Sequence, residues 1–385
     1  MKAYFATCLG VLLFSGPAGH AEAQSDTERL RPQWQALDAD GDGSVALAEI
    51  EASMRNFMRL SDHDSDGMLS LQEYVSFDLD PGSGGRVPLP TTVKLVTDLP
   101  YAGTRDARQQ VDVYVPRQRS IEGPLPVIAY IHGGAWRMGS RVMARRHVAP
   151  HVASGRYAAV SLGYRLSWQE SWPAQIHDVK AGIRWIRAHA EEYGFDPERI
   201  CAMGSSAGGH LTAEVGTTNG VQTLEGTLGP HTDHSSDVQC AIDFYGPTDL
   251  TSFEHRQTDL TRSALLTLLG GRPEEMPERA REASPVYQVD PEDPPFLIIH
   301  GTRDPLVPYA ASVDLAEALR EAGVPVVLQK IDGGGHGDFF GPEIVRRVQV
   351  FLDRTFYDQS LIVPDAPIVF PPTELTKESG PNRED

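Results

Sequence analysis

The feature that most constrains this chain is the pentapeptide Gly204, Ser205, Ser206, Ala207, Gly208, which follows directly on the apolar run Ile200 to Met203. Such a run reads as a buried strand, and the residues from Ala207 to Gly216 read as a helix. A strand that turns sharply into a helix presents one side chain at the turn. The glycines two residues either side of Ser206 let the two backbones approach there. Ser206 is therefore the candidate nucleophile, and the dipole of the helix behind it favours negative charge developing near its hydroxyl.

Three other segments complete the pattern. The run Pro126 to Ile131 is apolar enough for a buried parallel strand. It ends in His132, Gly133, Gly134, Ala135 and Trp136, where the amides of Gly133 and Gly134 are candidate oxyanion donors. The run Pro295 to Gly301 ends in Thr302, Arg303 and Asp304, which puts a carboxylate at a strand's C-terminal edge, where ligands of open α/β sheets bind. A last strand over 324–331 leads into a glycine-rich loop holding His336. Taken singly, Asp304 reads as the cap of the helix after it and His336 as a loop histidine. Together, the order Ser206, Asp304, His336 and the position of each at the end of an apolar run read as nucleophile, orienting carboxylate and general base.

A different chemistry precedes these segments. Asp38, Asp40, Asp42, Gly43, Ser44 and Glu49 occupy positions 1, 3, 5, 6, 7 and 12 of a calcium loop, and Asp62, Asp64, Asp66, Gly67, Met68 and Glu73 repeat the pattern. A hard cation needs several oxygens at once, the glycine permits the tight turn, and the final glutamate closes the shell with both oxygens. Ser44 and Met68 ligate through backbone carbonyls, so methionine is no defect there, and Ala46 leaves a place for water. The segment resembles an EF-hand pair, with helices expected over 27–37 and 71–79, Val45 facing Leu69 where the loops meet, and calcium in a structural role. Only Ile50 to Ser61 separate the loops. One helix that both leaves the first loop and enters the second is the alternative to face-to-face pairing.

Met1 to Ala23 read as an export signal, with Lys2 as the basic start, Cys8 to Phe14 as the apolar middle and Ala21, Glu22, Ala23 as the cleavage site. That middle is too short for a membrane span of about 20 residues. The organisation expected is a signal over 1–23, the calcium module over 24–80, a Gly/Pro linker over 81–90, a catalytic domain over 91–357 and a Pro-rich, acidic, disordered tail over 358–385. The expected location is secreted or periplasmic. A net charge of -19 argues against nucleic acid and anionic membrane surfaces as partners. Cys201 and Cys240 are the cysteines left after Cys8, each placed alike before strand ends at Ser206 and Tyr245. A buried thiol is the ordinary state of such residues, and a disulfide in an oxidising compartment is the alternative.

Antiparallel strands are expected first, over 93–103 and 109–116, followed by a strand within 157–166 and a helix whose Ile176, Val179, Ile183 and Ile186 share one face. Two insertions, 224–237 and 250–293, interrupt the alternation of strand and helix. Insertions at strand ends commonly form a substrate wall or lid. Trp136, Trp168, Trp172 and Phe339 read either as an aromatic pocket or, more ordinarily, as core.

From Val93 to Phe356 the chain resembles α/β-hydrolases near the hormone-sensitive-lipase-like esterases, the branch that includes bifunctional feruloyl and acetyl xylan esterases. The resemblance is carried by DVYVP, YIHGGAWRMGS, GYRLS, FDPERI, GSSAGGHL, FYGPTDL, DPPFLIIHGTRDPLVP and GGGHG. It implies a mostly parallel central sheet flanked by helices, behind the small helical calcium module. It further implies ester hydrolysis without a catalytic metal, the triad Ser206, Asp304 and His336, and an oxyanion hole from the amides of Gly133, Gly134 and Ala207. The substrate implied is a small acyl ester or an acylated plant polysaccharide. Ala135 departs from the third glycine often found in that loop. General short-chain esterases and amide hydrolases of the same fold, formamidases or peptidases, share the triad and remain alternatives. A non-catalytic calcium-dependent binding protein does not fit a complete triad.

Overall fold

The computed structural model describes residues 43–46, 68–70, 89–252, 258–337 and 339–370. The expected signal, both calcium-module helices, most of the linker and residues 371–385 lie outside these. So do Asp38, Asp40, Asp42, Glu49, Asp62, Asp64, Asp66 and Glu73.

Two short strands, β1 (Ser44–Ala46) and β2 (Met68–Ser70), pair antiparallel with Val45 opposite Leu69. Val45 is buried, and Gly43 just before β1 takes φ +90°, which favours glycine.

The main sheet begins with β3 (Val93–Pro100) and β4 (Gln110–Pro116), antiparallel to each other. It continues with β5 (Leu125–Ile131), β6 (Ala158–Leu162), β7 (Phe195–Ser205), β8 (Cys240–Phe244), β9 (Phe296–Gly301), β10 (Val326–Asp332) and β11 (Ile368–Val369). Their order across the sheet is β11-β10-β9-β8-β7-β5-β6-β4-β3, and from β6 to β11 every neighbouring pair is parallel. Parallel strands need helical crossovers that cover both faces, which is why β5 is buried along its whole length. The covering helices are α1 (Ala144–Ala153), α2 (Ala174–Ala188), α3 (Ala207–Thr217), α4 (Asp259–Leu269), α5 (Tyr309–Glu321) and α6 (Pro342–Phe356). Ile176, Val179, Ile183 and Ile186 all face the core from α2. Among the described residues, no helix is long and apolar enough to cross a membrane.

Three expectations need correction. Cys201 and Cys240 stand opposite each other on β7 and β8, 4.7 Å apart at Cα, and form a disulfide rather than two buried thiols. The tail is ordered through Phe370: Arg347 holds the carbonyls of Pro364 and Ala366, and Ile368–Val369 adds a strand beside β10, which is therefore not the last. The insertion 224–237 does not wall a substrate site. It precedes β8, at the opposite end of the strands from Ser206, and packs on the polar side of α2. There Lys180 and Arg184 reach Glu225, and Arg187 reaches the carbonyls of Ser235 and Asp237.

Candidate active site

Parallel strands send their C-terminal ends to one edge, and the loops after β5, β7, β9 and β10 meet there. Ser206 sits between β7 and α3 at φ +55°, a conformation costing a non-glycine residue about 1–3 kcal/mol. Backbone bonds hold it: its N–H donates to the Phe244 carbonyl at 2.8 Å and its carbonyl accepts from His210 N–H at 2.9 Å. A Cβ on Gly208 would lie 2.1 Å from the Ile131 carbonyl, and one on Gly204 2.3 Å from the Gly208 carbonyl, so both flanking positions admit only glycine.

The structure brings Ser206, His336 and Asp304 together. His336 Nε2 lies 2.9 Å from Ser206 Oγ, and His336 Nδ1 lies 2.7 Å from Asp304 Oδ2. The carboxylate can only accept, so Nδ1 carries the proton and Nε2 is free to take one from the serine. Asp304 Oδ1 accepts from the amides of Leu306 at 2.8 Å and Val307 at 2.9 Å. Burial by itself pushes the Asp304 carboxyl up. The imidazoles of His336 and His300 outweigh it and hold the group below the ordinary carboxylate range.

On the other side of Ser206 lies the loop after β5. A Cβ on Gly133 would fall 3.4 Å from that of Ser206, so the backbone itself abuts the candidate nucleophile. His132 Nδ1 donates to the Gly133 carbonyl at 2.8 Å, and a trans peptide then aims the Gly134 N–H the opposite way. Burial pushes the His132 imidazole down to about 3, so it stays neutral. Gly134 takes φ +114°, and Ala135 and Trp136 take +53° and +57°. Ala135 thus adopts, with strain, a conformation that a glycine takes freely. Ala207 opens α3, so its N–H has no acceptor within that helix.

Two histidines that sequence reasoning missed brace this arrangement. His300 Nε2 faces both the Val307 carbonyl at 3.0 Å and Asp304 Oδ2 at 3.2 Å, and Nδ1 meets Ser312 Oγ at 2.7 Å. His210 accepts from the Trp136 indole N–H at 3.2 Å and donates from Nε2 to the Ala283 carbonyl at 2.9 Å. It thereby ties the nucleophile's helix to the strained loop and to the 250–293 insertion. A histidine inside the apolar run of β9, and one a helical turn behind Ser206, were the signals available.

Ala135, Trp136, Ser206, Ala207, Ala264 and His336 are among the residues lining a cleft of about 40 Å³, and α4 of the second insertion forms part of its wall. A far larger cavity, about 740 Å³, lies at the opposite edge, among the starts of β9 and β10, the end of α6 and Ile362. Size favours the second and chemistry the first. Chemistry decides, because the larger cavity has no nucleophile paired with a base. Of the four aromatic residues noted in the sequence, Trp136, Trp172 and Phe339 are buried, while Trp168 is 62% exposed. Ser44 and Met68 of the calcium pattern fall on β1 and β2. Among the described residues no group of three or more histidine, cysteine, aspartate or glutamate side chains is disposed to hold a metal.

A mainly parallel sheet with a serine at the turn between strand and helix, and an acid and a histidine on later loops, defines an α/β-hydrolase. The BD-FAE family model matches residues 111–319, more than half of the chain, and the protein belongs to that family. It is 30% identical over 266 residues to the probable carboxylic ester hydrolase LipM of Mycobacterium tuberculosis, covering 65% of this chain and 60% of that protein. The chain thus spans under two thirds of that relative's length. Among solved structures, a truncated carbohydrate esterase from gut microbiota matches with 32% identity and a TM-score of 0.65, covering 70% of this chain and 98% of that one. The bifunctional GH43-CE protein of Bacteroides eggerthii matches with 31% identity and a TM-score of 0.63, covering 68% and 35%.

Proposed function

We propose that this protein is an exported serine esterase that removes acetyl groups from acylated plant polysaccharide. The observation that carries the chemistry is the continuous line of hydrogen bonds from Ser206 through His336 to Asp304. Ser206 gives its proton to His336 Nε2 as its oxygen attacks the ester carbonyl. The amides of Gly133, Gly134 and Ala207 receive the oxyanion. Asp304 keeps Nδ1 protonated and stabilises the imidazolium, which then protonates the departing alcohol. Water repeats the sequence and releases the acid.

Acetyl is favoured over feruloyl by room. The cleft beside Ser206 is narrow, and a short acyl group needs less of it than an aromatic one. The sugar alcohol is supported by the carbohydrate esterases among the similar structures. Export is supported by the disulfide, which suits an oxidising compartment.

Calcium binding by the two acidic loops belongs to the same reading. Its support is the left-handed Gly43 and the register that sets Val45 against Leu69. Ser44 and Met68 would contribute backbone carbonyls, and no step of the ester chemistry needs the ion. The test is a panel of acetylated xylo-oligosaccharide, methyl ferulate and 4-nitrophenyl acetate, with and without a chelator. Acetyl esters should turn over fastest at either calcium level, and the chelator should lower Tm. A preference for ferulate would contradict the reading.

A further inference from the structure

The loop after β6 leaves the sheet at the same edge as Ser206, because β6 runs parallel to β5. Trp168 lies on that loop, 62% exposed. Single exposed apolar side chains are ordinary on protein surfaces, so exposure alone argues nothing. The ring, however, is held in place. Its indole N–H donates to the Arg137 carbonyl at 3.2 Å, and the neighbouring Ser167 N–H donates to the Trp136 carbonyl at 2.7 Å. Gln169 closes the loop on Leu166 and reaches Asp106, which fixes the backbone beneath the ring. Arg137 also spans to Ser263 on α4, the helix that walls the cleft. The indole is therefore a rigid apolar face one residue outward from the cleft wall, with polar groups beside it.

We propose that Trp168 is a stacking platform for the sugar ring that carries the ester, an alcohol-side subsite of the active centre. The C–H face of a pyranose is weakly positive and apolar, and it complements the negative face of an indole. The hydroxyls at the ring's rim stay free for water and for polar neighbours. With the acyl group in the small cleft, the alcohol must leave through its mouth, and the platform is tied to Arg137, the residue that follows the cleft-lining Trp136. This inference rests on the sugar-ester reading above.

The test compares Trp168→Ala and Trp168→Phe on acetylated xylo-oligosaccharide and on methyl acetate, whose alcohol has no ring to stack. A parallel fluorescence titration follows unacetylated xylo-oligosaccharide binding to Ser206→Ala, with and without Trp168→Ala. Trp168→Ala should raise KM for the sugar ester about tenfold, leave kcat for it unchanged, and leave methyl acetate kinetics within about twofold. Trp168→Phe, which keeps an aromatic face, should recover most of the loss. The titration should show quenching that vanishes with the tryptophan. An equal loss on both substrates, or no loss on the sugar ester, would overturn the platform while leaving the esterase reading intact. Should the wild type cleave methyl acetate but no sugar ester, the substrate reading fails and the platform falls with it.

Discussion

At the C-terminal edge of the sheet a cleft of about 40 Å³ is framed by a strained serine, a satisfied carboxylate and a loop with three successive residues at positive φ. At the N-terminal edge a cavity of about 740 Å³ is bounded by ordinary apolar strand starts, while the disulfide and the 224–237 insertion hold the elements around that end together. One edge keeps unfavourable backbone conformations and orders them with buried hydrogen bonds. Among the described residues, the other has positive φ only at glycines. The difference teaches that, on the proposed mechanism, reactivity resides in strain and proton placement rather than in volume. Changes at the first edge should move turnover and leave stability nearly alone, and changes at the second should do the reverse.

The largest effect should come from Ser206→Ala, a loss of at least about 10⁴-fold in kcat with Tm unchanged. A loss of less than about 10²-fold would break the comparison at its strongest point. Next is His210→Ala, which frees the Trp136 indole. Loss of an oxyanion donor costs about 10²–10³-fold, so loosening the loop should cost about 10–100-fold in kcat with KM little changed. His210→Gln, which can still accept from Trp136, should recover much of it. A purely structural role would instead lower Tm and the active fraction, with kcat per labelled site intact.

At the other edge, Cys201→Ser with Cys240→Ser should cost about 2–4 kcal/mol of stability. Activity of the folded protein should persist, as urea unfolding and a rate assay would show. The smallest effect is a slope. Burial holds the Glu214 carboxyl well above its ordinary value and pushes Asp243 up to about 7. In both, the folded state keeps a proton that the unfolded chain loses near pH 4, so stability is full below that and falls as pH rises, for Asp243 until about 7. Each group contributes up to about 1.4 kcal/mol per pH unit. Glu214→Gln should flatten the fall in Tm between pH 5 and 8, and an unchanged slope would contradict the assignment.

Much of the reactive edge was legible in the sequence because its parts are short motifs at the ends of apolar runs. Ser206, Asp304, His336 and Gly133 each announce themselves within a few residues. What stayed hidden depends on what packs across space. Trp168 and Trp172 stand on the same loop, yet Trp172 donates to Glu282 and is buried while Trp168 faces outward. No local pattern separates them. His210 gains its role only from Trp136, far away in the chain. The ordered stretch to Phe370 was hidden by a composition of proline and acid that usually signals disorder, and the carbonyls it offers to Arg347 cannot be read from composition. The disulfide turned on register, because Cys201 and Cys240 pair only when β7 and β8 align as they do.

The most direct measurement is peptide mapping after treatment with a serine-directed phosphonate, carried out on the wild type, Ser206→Ala and His336→Ala. A single adduct on Ser206 is expected in the wild type, none on Ser206→Ala, and labelling slowed by orders of magnitude on His336→Ala. An adduct on another residue, or equally fast labelling without His336, would contradict the account.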